Sequence, residues 1–299
     1  MAESLSNWLA VREPADFEAR SATLTREVTE RLGDRRPLRI LDLGTGTGSN
    51  VRYLAGVLPA QQHWLLVDRD RRVVGDIPSR MAPWAASHGY HVRTDGERLE
   101  IAGRQLHCAI ERRCLNLGAL DDTSIFFDRH LVTAAALLDL VSESWLDTLA
   151  SRCRDTGAIV LFTLSYNGRS RCTPAEPEDN EIRELLNRHQ RANDKGFGPA
   201  AGPEAVDCAA RSFTEVGYDV RREASDWILR PDQRELQRQL IEGWAEAALE
   251  LMPGRTSIIH SWLTRRLAHV EANRSHIVVH HEDLAAWPAS HSQSDSNLR

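Results

Sequence analysis

The sequence predicts an α/β protein with a mostly parallel sheet and helices on both of its faces. The apolar run Leu38–Leu43 has the length and composition of a buried parallel strand. A glycine-rich stretch follows it, and residues 51–58 then carry apolar side chains at helical spacing. Two further apolar runs, residues 63–68 and 157–165, indicate other strands of the sheet. Strand, glycine turn and helix together form the first unit of an open, doubly wound sheet.

The glycine turn is the part of the sequence that most clearly indicates a ligand. Gly44, Gly46 and Gly48 stand at alternate positions shortly after Asp42. Glycine permits a tight chain reversal and a close approach of the backbone to a ligand. Amide groups at the start of the following helix favour a negatively charged ligand group. The alternative is a tight strand-to-helix turn that binds nothing.

A dinucleotide site is the competing interpretation of this turn. It requires the pattern G-x-G-x-x-G, or the same pattern ending in alanine. Counted from Gly44 the pattern would end on Ser49, and counted from Gly46 it would end on Val51. Neither residue fits, so the glycine spacing disfavours a nicotinamide or flavin dinucleotide.

The stretch resembles motif I of the class I S-adenosylmethionine-dependent methyltransferases, an acidic residue followed by x-Gly-x-Gly-x-Gly. Asp42 and the three glycines match this motif one for one. The resemblance covers roughly residues 39–216. It implies a Rossmann-like sheet of seven strands, the last of them antiparallel beside the sixth. It also implies S-adenosyl-L-methionine as cofactor and S-adenosyl-L-homocysteine as product.

Asp68 is the second predicted cofactor ligand. It ends the second predicted strand, twenty residues after Gly48. At this interval an acidic side chain can accept hydrogen bonds from both hydroxyls of a ribose. Dinucleotide enzymes share the interval, so the residue identifies the cofactor only together with Asp42 and the glycine pattern.

The resemblance implies further cofactor contacts. In the family an Asp often follows the third strand and binds the adenine amino group. Here Asn116, followed by Leu117, takes that place, and its amide oxygen can still accept from the amine. Small residues from Ala134 onward in the fourth strand would let the methyl donor lie against the backbone. An N-terminal helix often covers the site, which would bring Arg20 or Arg12 to the cofactor carboxylate; solvated charges are the alternative.

Three residues are predicted to be catalytic. Methyl transfer from a sulfonium is an in-line displacement in which the protein positions the nucleophile and, where needed, removes a proton. Asp139, Tyr166 and His189 follow predicted strands or lie in the polar excursion at the ligand edge, as does Asp194. His189 is favoured because an unperturbed pKa of about 6.5 suits proton abstraction near neutral pH. The alternatives are a loop-capping role for Asp139 and a solvated connection around His189.

Composition excludes several classes of function. The 299 residues are 41% hydrophobic and carry a net charge of −6 without a long basic block, so a nucleic-acid surface is not expected. We also expect no membrane span, because no apolar run approaches about 20 residues, and no secretory signal in residues 1–11. Five scattered cysteines fit a reducing cytosol. No metal site is expected, because the adjacent His280 and His281 would point to opposite faces of a strand.

The predicted organisation has three parts. Residues 1–36 form an N-terminal helical segment with a helix over residues 14–32, and residues 37–287 form the methyltransferase domain. Helical insertions are expected at about residues 170–200 and 231–275, the latter as a lid, before a last strand near residues 275–280. Residues 288–299 are rich in Ser, His and Asn, which predicts a disordered tail.

The leading hypothesis is therefore a cytoplasmic enzyme that transfers a methyl group to a small molecule. A methyltransferase acting on nucleic acid is disfavoured by the acidic balance and by Ala-Ala-Ala-Leu at residues 134–137, where an Asn/Asp-Pro-Pro-Tyr-type motif would be expected. An NAD(P)-dependent oxidoreductase and a non-catalytic protein that binds S-adenosylmethionine are the alternatives. The acceptor and the oligomeric state are left open.

Overall fold

A ten-stranded sheet forms the centre of the described structure, a computed structural model that covers residues 5–118, 120–192 and 194–289. Its strands are β1 (Leu38–Leu43), β2 (Gln61–Asp68), β3 (His91–Asp95), β4 (Arg98–Ala102), β5 (His107–Cys114), β6 (Leu131–Ala135), β7 (Ile159–Thr173), β8 (Tyr218–Ala224), β9 (Trp227–Leu229) and β10 (His276–Pro288). The helices are α1 (Leu5–Ala19), α2 (Ala22–Leu32), α3 (Ser49–Leu54), α4 (Arg71–Ser87), α5 (Glu143–Thr156), α6 (Asp179–Ala192), α7 (Ala205–Glu215), α8 (Arg234–Leu251) and α9 (Thr256–Glu271).

The strand order is β3-β4-β5-β2-β1-β6-β7-β10-β8, and β9 pairs with β10. Strands β5, β2, β1, β6 and β7 are parallel to their neighbours in that run. Strand β10 lies antiparallel between β7 and β8, so the predicted antiparallel last strand beside the sixth is confirmed. The mostly parallel, doubly wound α/β class is confirmed too.

The predicted number of seven strands is wrong. The additional strands include β3 and β4, which continue the sheet antiparallel beyond β5. The three-residue strand β9 adds a further pairing to β10 and was not predicted, because so short a run carries no readable alternation.

Helices cover both faces of the sheet with separate cores. One core joins α5 and α7 to the sheet through Trp145, Leu149 and Phe213. The other core joins α2, α3 and α4 to the opposite face through residues such as Val28 and Ile77. The parallel strands are buried on both sides as a result, which explains their almost continuous apolar sequences.

The predicted single helix over residues 14–32 is wrong, because the chain breaks at Arg20 and Ser21 into α1 and α2. The Ser21 hydroxyl accepts a hydrogen bond from the amide of Leu24 and caps α2. The Ser21 amide donates to Oδ2 of the buried Asp283 at 2.8 Å, which ties the break to β10. The apolar stripe that begins at Phe17 and continues through α2 crosses this capped break and conceals it in the sequence.

The strand predicted at residues 157–165 is longer than expected. Pairing with β6 ends at Thr163, but β7 continues to Thr173 along β10, so residues 166–169 lie in a strand and not in a loop. At Leu164 the backbone is left-handed (φ +59°), and its amide donates to Oδ1 of Asp283 at 2.8 Å. The irregularity turns the end of β7 away from β6. Tyr166 thereby lies beyond the parallel part of the sheet.

The helices α6, α8 and α9 form a third core with the extended ends of β7 and β10. Both predicted helical insertions are therefore present, although the division of the chain into domains stays a prediction. Strand β10 includes Pro288, and the rest of the predicted tail, residues 290–299, lies outside the described residues. Among the described helices, none combines the length and apolar character that a membrane crossing requires.

Arg266 provides a test of how this third core is held together. Its side chain is fully buried, its Nε donates to Asp179 at 3.0 Å, and its Nη1 donates to the carbonyl oxygen of Pro174 at 2.7 Å. Arg266→Met removes one partner of this buried pair, so we expect the free energy of unfolding to fall by about 3 kcal/mol. Urea denaturation followed by circular dichroism measures this loss.

The adjacent Arg265 is the matched control for Arg266. It pairs with Glu176 and Glu178, but its side chain is 39% exposed, and exposed ion pairs contribute little. Arg265→Met should therefore change the unfolding midpoint much less than Arg266→Met. Equal losses in the two variants would contradict the role assigned to burial.

Candidate functional site

The glycine turn has a backbone that only glycine adopts without strain. Gly46 has φ +53°, and a Cβ at this position would lie 3.0 Å from Cδ1 of Leu9 in α1. Gly48 has φ +82° and begins α3, where a Cβ would lie 2.8 Å from Cε of Met81. The turn is thus packed between α1 and α4, with no space for a side chain.

Asp42 holds the turn from inside the sheet. Its Oδ2 accepts a hydrogen bond from the Thr45 hydroxyl at 2.5 Å, and its Oδ1 accepts one from Nδ2 of Asn50 at 2.6 Å. Burial raises the pKa of Asp42 to about 6, although these two hydrogen bonds favour its charged form. The residue therefore connects the end of β1 to the first turn of α3.

Asp68 lies at the end of β2 and faces the same turn. Its Oδ2 accepts from the amide of Gly46, and its Oδ1 accepts from the amide of Asp70, both at 2.9 Å. A carboxylate has about four lone-pair positions, so two remain for a ligand. The two amides fix the carboxylate in orientation without saturating it.

A cavity of about 200 Å³ lies above the glycine turn. Five of the nine predicted cofactor residues contribute to its lining, namely Asp42, Gly44, Gly46, Asp68 and Leu117. The wall opposite the turn is formed by α1 and by the chain that leaves β6 through Ala135 and Ala136. The structure brings together residues from β1, β2, β6 and α1, as expected for the carboxyl edge of a parallel sheet.

The structure does not bring Arg20 into this lining. Arg20 is buried behind the turn, where its Nη1 donates to Oδ1 of Asn50 at 2.5 Å and its guanidinium lies over the Tyr53 ring. Burial lowers the pKa of Arg20, and nearby carboxylates oppose this shift. Of the two arginines considered from the sequence, Arg12 is the one that lines the cavity.

Three other predicted cofactor residues lie beside the cavity. Gly48 caps the start of α3 and lies between the lining residues Thr47 and Ser49. Ala134 is buried in the core, and its neighbours Ala135 and Ala136 line the cavity in its place. Asn116 is exposed, and its Oδ1 accepts from the amide of Gly118 at 2.9 Å. Each of these three residues is therefore adjacent in the chain to a residue that lines the cavity.

A second cavity, of about 370 Å³, adjoins the first. Its walls are mostly aromatic and aliphatic and come from α1, α6, α8 and the extended ends of β7 and β10. The two cavities share part of their lining, namely Leu5, Leu9, Arg12, Ala136, Leu140 and Lys195. Two ligands bound side by side would therefore meet at these shared residues.

Two of the predicted catalytic residues line the second cavity. Asp139, in the short 3-10 helix Leu138–Leu140, is buried, and its Oδ2 accepts from Nε2 of Gln190 at 3.3 Å. Burial raises the pKa of Asp139 to about 6, while the charges of Lys195 and Arg12 oppose this shift. Burial also raises the pKa of Tyr166, whose hydroxyl makes no hydrogen bond of normal geometry to a described residue.

His189 does not contribute to the lining of either cavity. Its Nε2 lies 2.7 Å from Oε2 of Glu250, so it connects α6 to α8 on the outer side. Sequence reasoning placed His189 by its residue type and its nearness to glycines, but those signals do not fix the face of α6 on which it lies. Asp194 closes its own loop by accepting hydrogen bonds from the amides of Gly196, Phe197 and Gly198.

His281 is a cavity residue that the sequence did not identify. Its Nδ1 donates to the carbonyl oxygen of Val279 at 3.1 Å, which leaves Nε2 without a proton. Burial lowers the pKa of His281 to about 3, so the ring is neutral at physiological pH. The adjacent His280 contacts Asp226 instead, in agreement with the expected opposite faces. Among the described residues, no three His, Cys, Asp or Glu side chains are grouped to hold a metal ion.

Three tryptophans in the second cavity were also missed. Trp8, Trp227 and Trp244 come from α1, β9 and α8, which are far apart in the sequence. Lys195, the only lysine of the chain, lines both cavities and belongs to the polar excursion in which the sequence predicts substrate recognition.

Comparison with solved structures finds distant similarities over nearly the whole chain. The structures include phosphoethanolamine N-methyltransferase 2 of Haemonchus contortus with phosphomonomethylethanolamine and S-adenosylhomocysteine (15% identity, TM-score 0.42, 96% of this chain and 59% of that chain). They also include the cyclopropane synthase MmaA2 of Mycobacterium tuberculosis (8% identity, TM-score 0.44, 95% of this chain and 99% of that chain). A third is a SAM-dependent methyltransferase of Thiobacillus denitrificans with S-adenosyl-L-homocysteine (12% identity, TM-score 0.44, 97% of this chain and 100% of that chain).

The chain thus spans about three-fifths of the length of the Haemonchus protein. No family model matches the sequence, and no curated protein matches it. Because the identities and TM-scores are low, we base the fold class on the strand order described above.

Proposed function

We propose that this protein is a class I S-adenosylmethionine-dependent methyltransferase that acts on a small molecule. The observation that carries this proposal is the pair of adjoining cavities, one on the glycine turn and the other on Asp139. A group transfer requires two ligands whose reacting atoms meet, and the shared lining provides such a meeting point. The match of Asp42, Gly44, Gly46 and Gly48 to motif I indicates which ligand belongs in the first cavity.

The first cavity fits the cofactor in two respects. The two free acceptor positions on Asp68 suit the two hydroxyls of a ribose, and the amides of Gly46 and Asp70 hold that carboxylate in place. The turn also presents backbone without side chains at Gly44 and Gly46, which line the cavity, so a ligand can approach closely. When bound, S-adenosylmethionine supplies an electrophilic methyl group, and S-adenosylhomocysteine is the product.

The second cavity supports a small-molecule acceptor. It lies between α1, α6, α8 and the ends of β7 and β10, and its mostly apolar walls disfavour water around the reacting atoms. The acidic net charge supports neither nucleic acid nor an anionic membrane as partner. We place the enzyme in the cytoplasm, where free cysteines persist.

Calorimetric titration with S-adenosylmethionine, S-adenosylhomocysteine and NAD tests the proposal. We expect saturable binding of the two adenosyl ligands and none of NAD. Asp68→Ala removes the hydrogen bonds to the ribose, and bonds to a charged group contribute about 1.5–3 kcal/mol. The dissociation constant should therefore rise roughly 10- to 100-fold in this variant.

Asp155→Ala is the control for Asp68→Ala. Asp155 is an exposed carboxylate in α5, on another part of the surface, and its replacement should leave binding unchanged. Binding of NAD alone would overturn the methyltransferase proposal in favour of an oxidoreductase. Binding of the adenosyl ligands without transfer to any acceptor would favour a protein that only senses the cofactor.

A further inference from the structure

We infer that the second cavity takes a planar, uncharged aromatic acceptor with a hydroxyl group, and that Asp139 receives the proton of that hydroxyl during methyl transfer. This inference rests on the proposed function, because it concerns the acceptor half of the same site. It is carried by the aromatic wall of the cavity, by polar atoms left without partners at one end, and by the state of the charged groups around them.

The aromatic wall consists of four rings from four different elements. Trp8, Trp227 and Trp244 line the cavity together with Tyr166. The rings of Trp8 and Trp227 pack edge to face, with centroids 6.4 Å apart, so their orientations are fixed. Rigid aromatic walls favour flat aromatic ligands, which can stack on or pack edgewise against them.

Polar atoms without partners mark one end of the cavity. Oε1 of Gln190 is buried without a hydrogen bond to a described residue, and the buried hydroxyl of Tyr166 lies near Ser170 without a hydrogen bond of normal geometry to it. A buried polar atom without a partner is unfavourable, so each of these two atoms favours a ligand that hydrogen-bonds to it. Asp139 lies beside them and accepts a long bond from Gln190 and a bond from its own backbone amide. A ligand hydroxyl placed here would donate to Asp139, and its oxygen would accept from the hydroxyl of Tyr166.

The charges around this end do not favour an ionic acceptor. Arg12 is held by both oxygens of Asp16, at 2.9 and 3.1 Å, and its guanidinium lies 5.0 Å from the centroid of the Trp227 ring. Lys195 is an exposed residue that lies close enough to Asp139 to stabilise its charge. Since the fixed charges already have opposite neighbours, a charged ligand would lose its hydration without gaining a free counter-charge.

Asp139 is the better of the two proton acceptors in the cavity. It titrates at about 6, whereas the neutral ring of His281 has a pKa of about 3 and is too weak a base near neutral pH. The groups that face Asp139 from the packed elements are Arg12 of α1, Tyr166 of β7, Gln190 of α6 and the loop residue Lys195. The two cations favour the deprotonated carboxylate that accepts the proton.

The proposed step is balanced in atoms and charge. The acceptor oxygen forms a bond to the methyl carbon as the bond between that carbon and the sulfonium sulfur breaks, and the sulfur keeps the bonding electron pair. The hydroxyl proton passes to Asp139, which is neutral at the end of the step. The products are a methyl ether and a neutral thioether, and solvent recovers the proton when the products leave.

Binding of model acceptors tests the aromatic part of the inference. With S-adenosylhomocysteine bound, equilibrium dialysis should show that 2-naphthol binds at least about 10-fold more tightly than its saturated, non-planar counterpart 2-decalol. Trp244→Leu should weaken 2-naphthol binding by about the same factor. Trp84→Leu is the matched control, because Trp84 lies in α4 and packs on His88 and Tyr90, which follow that helix. Equal binding of the two alcohols would overturn the aromatic assignment.

Single-turnover transfer to 2-naphthol, followed by mass spectrometry of 2-methoxynaphthalene, tests Asp139. Asp139→Asn should lower the rate constant by about 100-fold or more and remove the fall in rate below about pH 6, with 2-naphthol binding retained. An unchanged rate and pH profile would overturn the role of Asp139. Transfer to 2-naphthylamine in preference to 2-naphthol would overturn the hydroxyl assignment. Failure of S-adenosylmethionine to bind would instead refute the proposed function, and calorimetry detects this separately.

Discussion

Gly46→Ala is expected to raise the dissociation constant of S-adenosylmethionine by about 100-fold or more. A left-handed conformation costs a non-glycine residue roughly 1–2 kcal/mol, and the new Cβ would lie 3.0 Å from Cδ1 of Leu9. The turn can relieve both effects only by moving its amide away from Asp68 or by displacing α1. Either movement deforms the cavity, so binding must restore its shape. A cost of about 3 kcal/mol for this restoration raises the dissociation constant by about 100-fold.

Gly157→Ala is the matched control for Gly46→Ala. Gly157, which follows α5, is left-handed as well (φ +66°, ψ 23°), but no atom lies within 4 Å of the position of its Cβ. Both variants should lose roughly 1–2 kcal/mol of stability in urea denaturation, because both place an alanine in a left-handed conformation. Calorimetry should show loss of cofactor binding only in Gly46→Ala. Wild-type affinity in that variant would contradict the placement of the cofactor on the turn.

The cofactor half of the site could be predicted because its signals are local. A strand, a glycine turn and a helix follow one another within about twenty residues, and Asp68 stands at the end of the next strand. Parallel strands deliver their carboxyl ends to one edge of the sheet, so the sequence positions of Asp42 and Asp68 nearly determine their place in space. Ala134 and Asn116 each lie one residue from the cavity lining, an offset expected where strand ends are uncertain by one or two residues.

The acceptor half could not be predicted because it is assembled from distant segments. Its walls come from α1, α6, α8, β7 and β10, and the sequence shows which residues are apolar but not which face meets which. His189 and Gln190 are neighbours in α6, yet only Gln190 lines the cavity. One residue along a helix turns the side chain by about 100°, so a small error in the assumed face exchanges one candidate for another.

The helix α1 joins the two halves. Its residues at helical spacing, namely Leu5, Trp8, Leu9, Arg12 and Asp16, line one cavity or both. Trp227 of β9 donates to Asp16 at 3.0 Å and thereby fixes this face of α1 over the site. Apolar and charged residues are mixed on that face of α1. The sequence therefore shows a clear apolar stripe in α2 but not in α1.

Asp139→Asn is expected to stabilise the folded protein near neutral pH while it removes the proposed base. Burial raises the pKa of Asp139 from an ordinary value of 3.8 to about 6. Between these two pKa values the folded protein holds a proton that the unfolded chain has released. The free energy of unfolding therefore falls as pH rises, by up to about 1.4 kcal/mol per pH unit. Above about pH 6 the loss of free energy of unfolding is complete and is on the order of 3 kcal/mol. An asparagine does not titrate and avoids this cost.

The asparagine also suits its neighbour, because its amide group can donate to the unpartnered Oε1 of Gln190 while its oxygen accepts from Nε2. Thermal unfolding should therefore show a gain of several degrees at about pH 7.5 and little or no gain near pH 4, where the native Asp139 is protonated. Asp155→Asn, at an exposed site in α5, should show no such dependence. A gain that is equal at both pH values would mean that packing, and not the buried charge, limits stability at this position. A gain confined to neutral pH, together with slower transfer, would show that the acceptor site retains a destabilising carboxylate because the chemistry requires it.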